Sequence, residues 1–75
     1  MNDRRLENSL KVYRAMKDLT QEELAGLAGI TRASVNAIEA GRMVPSVLLA
    51  LKLATALDVA VDDLFRLSGR DEATQ

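Results

Sequence analysis

Gly29, Ile30 and Thr31 are all that separate two helices whose ends are sharply punctuated, and this spacing constrains the fold more than any other feature of the chain. Thr20-Gln21-Glu22-Glu23 has the form of a capping box. The Thr20 hydroxyl can accept from the Glu23 N–H while the Glu23 carboxylate reaches back to the Thr20 N–H. Leu24, Ala25 and Ala28 follow at helical spacing, which predicts a helix over Gln21 to Ala28. Gly29 supplies the left-handed conformation that ends it, and Ile30 turns an apolar side chain inward. Thr31 then caps a helix over Arg32 to Ala40, stopped at Gly41. Ala25 is small where the two helices approach, and Ile30, Val35 and Ile38 tie the later helix to the core, giving a crossing of roughly 90–120°. The pattern fits a helix-turn-helix, or an ordinary αα-hairpin in a small bundle.

The remainder of the chain reads as helix as well. Twelve Leu and eleven Ala stand against six Val and two Ile, so helix formers dominate and strand formers are scarce. A first helix is expected from Leu6 to Lys17, with Leu6, Leu10 and Tyr13 as one inward stripe. Ser46 caps a fourth over Val47–Leu57, and after the Asp58 turn a fifth runs over Val61–Leu67. The 75 residues allow a single domain, placed at 1–67, with a polar tail over 68–75 expected to fray. The chain has no Cys and no His, which excludes disulfides, Cys/His zinc sites and catalysis by thiolate or imidazole. No glycine-rich phosphate loop or converging acid–base pair offers an enzyme, and no metal or cofactor is expected. No apolar run reaches membrane-spanning length and the first eight residues lack a leader's apolar stretch, so a cytoplasmic location is the default.

From Leu19 to Phe65, 47 of the 75 residues, the chain resembles the Cro/repressor family of bacterial and phage helix-turn-helix regulators. The resemblance rests on Leu19-Thr20-Gln21-Glu22-Glu23-Leu24-Ala25, Gly29-Ile30-Thr31-Arg32, Ile38-Glu39-Ala40-Gly41-Arg42, Pro45-Ser46 and Leu57-Asp58-Val59-Ala60-Val61-Asp62-Asp63-Leu64-Phe65. It implies an all-α, five-helix, lambda-repressor-like domain that binds double-stranded DNA, commonly as a homodimer. Carried over residue by residue, it places Arg32, Ala33, Asn36 and Ala37 where the third helix reads base edges. Arg suits guanine O6 and N7, Asn suits adenine N6 and N7, and Ala suits a thymine methyl. Arg32 contacts either a base or only a phosphate. Gln21, beside the positive end of a helix, matches the family's phosphate grip, with a merely solvated first-turn residue as the alternative. Lys17, Thr20, Thr31 and Arg42 are further phosphate candidates, and Ser34 is read as packing. The resemblance also implies an ion pair between Arg14 and Glu39, structural in role.

Charge runs against this reading at first sight. Ten Lys and Arg face eleven Asp and Glu, for a net charge of −1, whereas a basic excess is usual for a DNA binder. Residues 1–42 hold seven basic and six acidic residues, and 43–75 hold three and five, so a positive rim must come from the first half. With Arg14 and Glu39 paired internally, Lys17, Arg32 and Arg42 are expected to form that rim without nearby acids. Few phosphate contacts per subunit then call for two subunits on half-sites about 34–36 Å apart. Leu48 and Leu49, where the family usually has polar residues, are the candidate dimer surface, or else core over the Met43-Val44-Pro45 loop. Val12 and Met16 form a second apolar pair. A protein-binding module such as an antitoxin, holding a partner through the fourth and fifth helices, is the competing function. The short stretch after Leu67 leaves no room for an effector domain, so regulation is expected to rest on protein concentration.

Overall fold

The computed structural model describes residues 5–68. In chain order they form β1 (Leu6–Asn8), α1 (Leu10–Met16), α2 (Gln21–Ala28), α3 (Arg32–Glu39), α4 (Val47–Leu57), α5 (Val61–Leu64) and β2 (Phe65–Leu67). The five expected helices are present in the expected order, and α2 and α4 have the expected bounds. Among the described residues none is long and apolar enough to cross a membrane.

The caps work as their side chains dictate. Thr20 Oγ1 accepts from the Glu23 N–H at 3.0 Å while Glu23 Oε1 accepts from the Thr20 N–H at 2.8 Å. Thr31 and Ser46 cap α3 and α4 through the N–H groups of Ser34 and Leu49. Gly29 ends α2 with φ +72°, the left-handed region in which a side chain is strained. Asp18 and Asp58 hold the same region at φ 57° and 58°, turns that Asp tolerates at some cost. Ala60 lacks a hydroxyl, so only half a capping box forms before α5, the Asp63 carboxylate accepting from the Ala60 N–H at 3.1 Å.

The correction lies at the two ends. Leu6–Asn8 is not the first turn of α1 but a strand, paired antiparallel with β2 in the register Leu6↔Leu67, Glu7↔Arg66, Asn8↔Phe65. Asn8 starts α1 late because its Oδ1 accepts from the Leu10 N–H at 3.1 Å. Its Nδ2 donates to the Ile38 carbonyl at 2.9 Å, tying this end of the chain to the last turn of α3. Leu6 therefore leaves the inward stripe and is exposed, while Leu10 is fully buried and Tyr13 packs partly against the core. Likewise α5 stops at Leu64, because Phe65 adopts extended backbone with φ −130° and ψ 138°. Glu7 and Arg66 form an exposed ion pair across the sheet at 3.5 Å. Ser68, assigned above to the tail, continues the ladder: its N–H donates to the Arg5 carbonyl at 2.7 Å, and its Oγ accepts from the Arg5 N–H at 2.9 Å. The rest of the tail, from 69, lies outside the described residues.

One core unites the helices: Leu10, Leu24, Ala25, Ala28, Val35, Ile38, Leu53, Ala54, Leu57 and Leu64. α2 lies between α3 and α4, and α1 backs onto α3. Val35 and Ile38 bury one side of α3 completely, which leaves its opposite side outward.

Candidate nucleic-acid interface

The burial of Val35 and Ile38 fixes what α3 shows to solvent. Arg32, Ala33 and Asn36 are exposed together, and Ala37 is half-buried on the flank of the same face. Residues three and four apart on a helix are neighbours, so Arg32, Ala33 and Asn36 make one continuous patch, two polar side chains beside a small methyl. Ser34 is half-buried, consistent with packing.

The first turn of α2 stands beside this patch. Arg14, Thr20, Gln21, Glu22 and Arg32 line one open hollow between α2 and α3. The Arg32 guanidinium and the N-terminus of α2 suit an anion there, while Arg14 is paired internally. Glu22 shares the hollow, however, so the expectation that Arg32 stands clear of acids is corrected. Lys17 and Arg42 are exposed at the ends of α1 and α3, outside the hollow's lining. Arg42 follows Gly41, whose φ of +79° turns the chain, and the Arg42 N–H donates to the Ala37 carbonyl at 2.9 Å. The two threonines differ. Thr31 Oγ1 donates to Ser34 Oγ at 2.9 Å, which uses its proton within α3, whereas the Thr20 hydroxyl acts as an acceptor in its cap.

Beneath the patch lies an ion pair. Arg14 Nε donates to Glu39 Oε2 at 2.6 Å and Arg14 Nη2 to Glu39 Oε1 at 3.2 Å, the two-pronged geometry that a guanidinium makes with a carboxylate. Arg14 Nη1 also donates to the Leu19 carbonyl at 2.7 Å, joining α1 to the turn before α2. The hydrogen bond to Glu39 raises the Arg14 pKa further above its ordinary range, against the opposing effect of burial. Burial pushes the Glu39 carboxyl up, but hydrogen bonds from Arg14 and Gln21 and the charges of Arg14 and Lys11 outweigh it, leaving the group below its ordinary value.

Gln21 departs most from the expectation of a free phosphate contact. Its Nε2 donates to Glu39 Oε1 at 3.0 Å and reaches Asn36 Oδ1 at 3.4 Å. The ion pair, the first residue of α2 and the outer face of α3 are thus one connected network. The residue types were legible beforehand, whereas their convergence depends on the helix crossing. Asn8, which holds the end of α3, is a positioning residue absent from the sequence expectations, although an Asn that bonds its own backbone two residues on, an Asx-turn, is a local signal for a break ahead of a helix.

The candidate dimer residues separate. Leu48 is 63% exposed, while Leu49 packs partly against the core. Leu48 is joined by exposed Val44, Val47 and Leu51, and Leu27 at the end of α2 is exposed as well. Val12 and Met16 are exposed on α1.

Comparison with known proteins agrees with this geometry. The Helix-turn-helix family model, HTH_3, matches residues 10–64. An uncharacterized HTH-type transcriptional regulator of Methanocaldococcus jannaschii is 45% identical over 60 residues, covering 80% of this chain and 91% of that protein. The uncharacterized HTH-type transcriptional regulator YgzD of Bacillus subtilis is 44% identical over 62 residues, covering 83% and 94%. Among solved structures, the restriction-modification controller protein C.AhdI from Aeromonas hydrophila is similar with a TM-score of 0.70 at 42% identity, covering 72% of this chain and 82% of that one. The chain belongs to the helix-turn-helix family of Cro/repressor-type, DNA-binding transcriptional regulators.

Proposed function

We propose that this regulator reads a specific sequence in duplex DNA with α3 in the major groove and the first turn of α2 on the backbone. One observation carries the reading: Arg32, Ala33 and Asn36 are exposed on a single face whose opposite side, Val35 and Ile38, is wholly buried. A rigidly seated helix with a polar outer face meets what base-edge recognition requires, since a mobile one would forfeit the ordering entropy on binding. Arg32 is assigned to guanine, and Ala33, Asn36 and Ala37 to neighbouring positions. Thr20, Lys17 and Arg42 are assigned to phosphates, and at Gln21 only the backbone N–H in the first turn of α2 is, because its amide protons go to Glu39 and Asn36. Thr31 takes the weakest part, because its hydroxyl proton already goes to Ser34.

The functional unit is a homodimer on an inverted repeat. Few cations line the face, and counterion release scales with the phosphates neutralised, so one subunit binds weakly. The apolar surface of Val44, Val47 and Leu48 gives a second copy a place to pack. The same surface also supports the competing reading, a protein partner held through α4. Sedimentation of the purified chain separates the two: the dimer reading requires self-association at micromolar concentration, and a strictly monomeric chain overturns it. DNA reading itself is tested by selection from a random duplex pool at stated salt. A short inverted repeat with a guanine in each half is expected, and no enrichment overturns the assignment.

A further inference from the structure

We propose that Gln21 is a positioning residue for base readout, holding the Asn36 amide with its oxygen inward and its nitrogen toward the groove. The inference rests on the DNA reading above and adds a specificity rule to it.

Donors and acceptors alternate along the network. An ionised carboxylate only accepts hydrogen bonds. Glu39 is held ionised by Arg14, which donates to both of its oxygens. The Gln21 atom lying 3.0 Å from Glu39 Oε1 must therefore be its NH2 nitrogen. That nitrogen has a second proton, and the atom of Asn36 that meets it, 3.4 Å away, must be the acceptor Oδ1. Amide orientation, usually ambiguous, is thus dictated by a charge two residues removed. Asn36 Nδ2, a donor only, is left for the groove. Purines offer N7 there, guanine also O6 and thymine O4, while cytosine offers only its N4 donor. Cytosine opposite Asn36 meets donor with donor, and turning the amide to accept from it breaks the bond to Gln21. The rule is exclusion of cytosine at the base that Asn36 faces.

The test selects duplexes from a random pool with the intact chain, Asn36→Ala, Gln21→Met and Gln21→Ala. Methionine keeps the length of the side chain and removes its amide, and the alanine variant serves if methionine disturbs folding, as followed by thermal melting. The position at which Asn36→Ala loses preference is the one Asn36 reads. There the intact chain is expected to disfavour cytosine about tenfold, and the Gln21 variants to admit it within roughly threefold, with the guanine preference attributed to Arg32 retained. Gln21 variants that weaken every sequence equally, with cytosine still excluded, overturn the proposal and leave Gln21 a phosphate contact. An Asn36→Ala variant that changes no position overturns it too. An intact chain that enriches no sequence overturns the DNA reading, a separate and recognisable failure.

Discussion

Glu39 and Arg14 meet through two hydrogen bonds, at 2.6 and 3.2 Å, with side chains only 6% and 15% exposed. Removing one member of such a pair leaves the other charge stranded, at a cost of roughly 3–5 kcal/mol. Glu39→Ala is expected to lower stability by that amount in urea titration and to weaken DNA binding with it, because Gln21 loses its anchor. A variant that unfolds at the wild-type midpoint contradicts this. The pH dependence follows from the depressed carboxyl. The folded chain holds Glu39 below its ordinary value of 4.5, so the unfolded chain takes up the proton first as pH falls. The stabilisation is complete above pH 4.5 and is lost as pH drops through the folded value. Glu39→Gln, which has no such titration, should show a smaller loss of stability in acid than the parent.

Ala25 lies on the face of α2 that joins the core shared with α3 and is 4% exposed. Ala25→Leu inserts volume that the crossing has no room for, at an expected cost of about 1–3 kcal/mol. Thermal melting measures it, and DNA affinity should fall as well, since α3 must shift to accept the larger side chain.

Gly26 offers the opposite case. It lies in the interior of α2, is exposed, and a Cβ added there meets nothing within 4 Å. Gly26→Ala should stabilise the chain by about 0.4–1 kcal/mol, because it restricts the unfolded state and removes a poor helix former. A melting temperature unchanged or lowered contradicts the open surroundings described.

Leu48 and Leu49 separate association from packing. Leu48→Asp places a carboxylate in the first turn of α4, where a helix tolerates it, so folding should survive while sedimentation shifts toward monomer. Leu49→Asp buries charge against the core and should lower the melting temperature instead. Equal behaviour of the two variants contradicts the assignment of Leu48 to the dimer surface.

What was legible in the sequence follows from how locally each feature is encoded. The bounds of α2 and α4 depend on Thr20, Glu23, Gly29, Ser46 and Asp58, whose effects reach three or four residues, so reading them needs no tertiary information. The Arg14–Glu39 pair and the outer face of α3 were available through family resemblance. β1 and β2 were not, because three-residue strands are too short to show alternation, and Leu6 fell into helical register with Leu10 by coincidence. The link from Glu39 through Gln21 to Asn36 was equally hidden: it joins residues 15 and 18 positions apart, and only the crossing of α2 over α3 brings them within reach. Leu48 and Leu49 are adjacent in sequence and both apolar, and only the rotation of α4 against the core tells them apart.

Base reading by the outer face of α3 is decided by the affinity of the intact chain and of Arg32→Ala for a selected operator and a scrambled duplex, at one fixed salt concentration. Arg32→Ala is expected to lose about 1–3 kcal/mol on the operator with little change on the scrambled duplex. Equal weakening on both duplexes, or no binding to either by the intact chain, would contradict it.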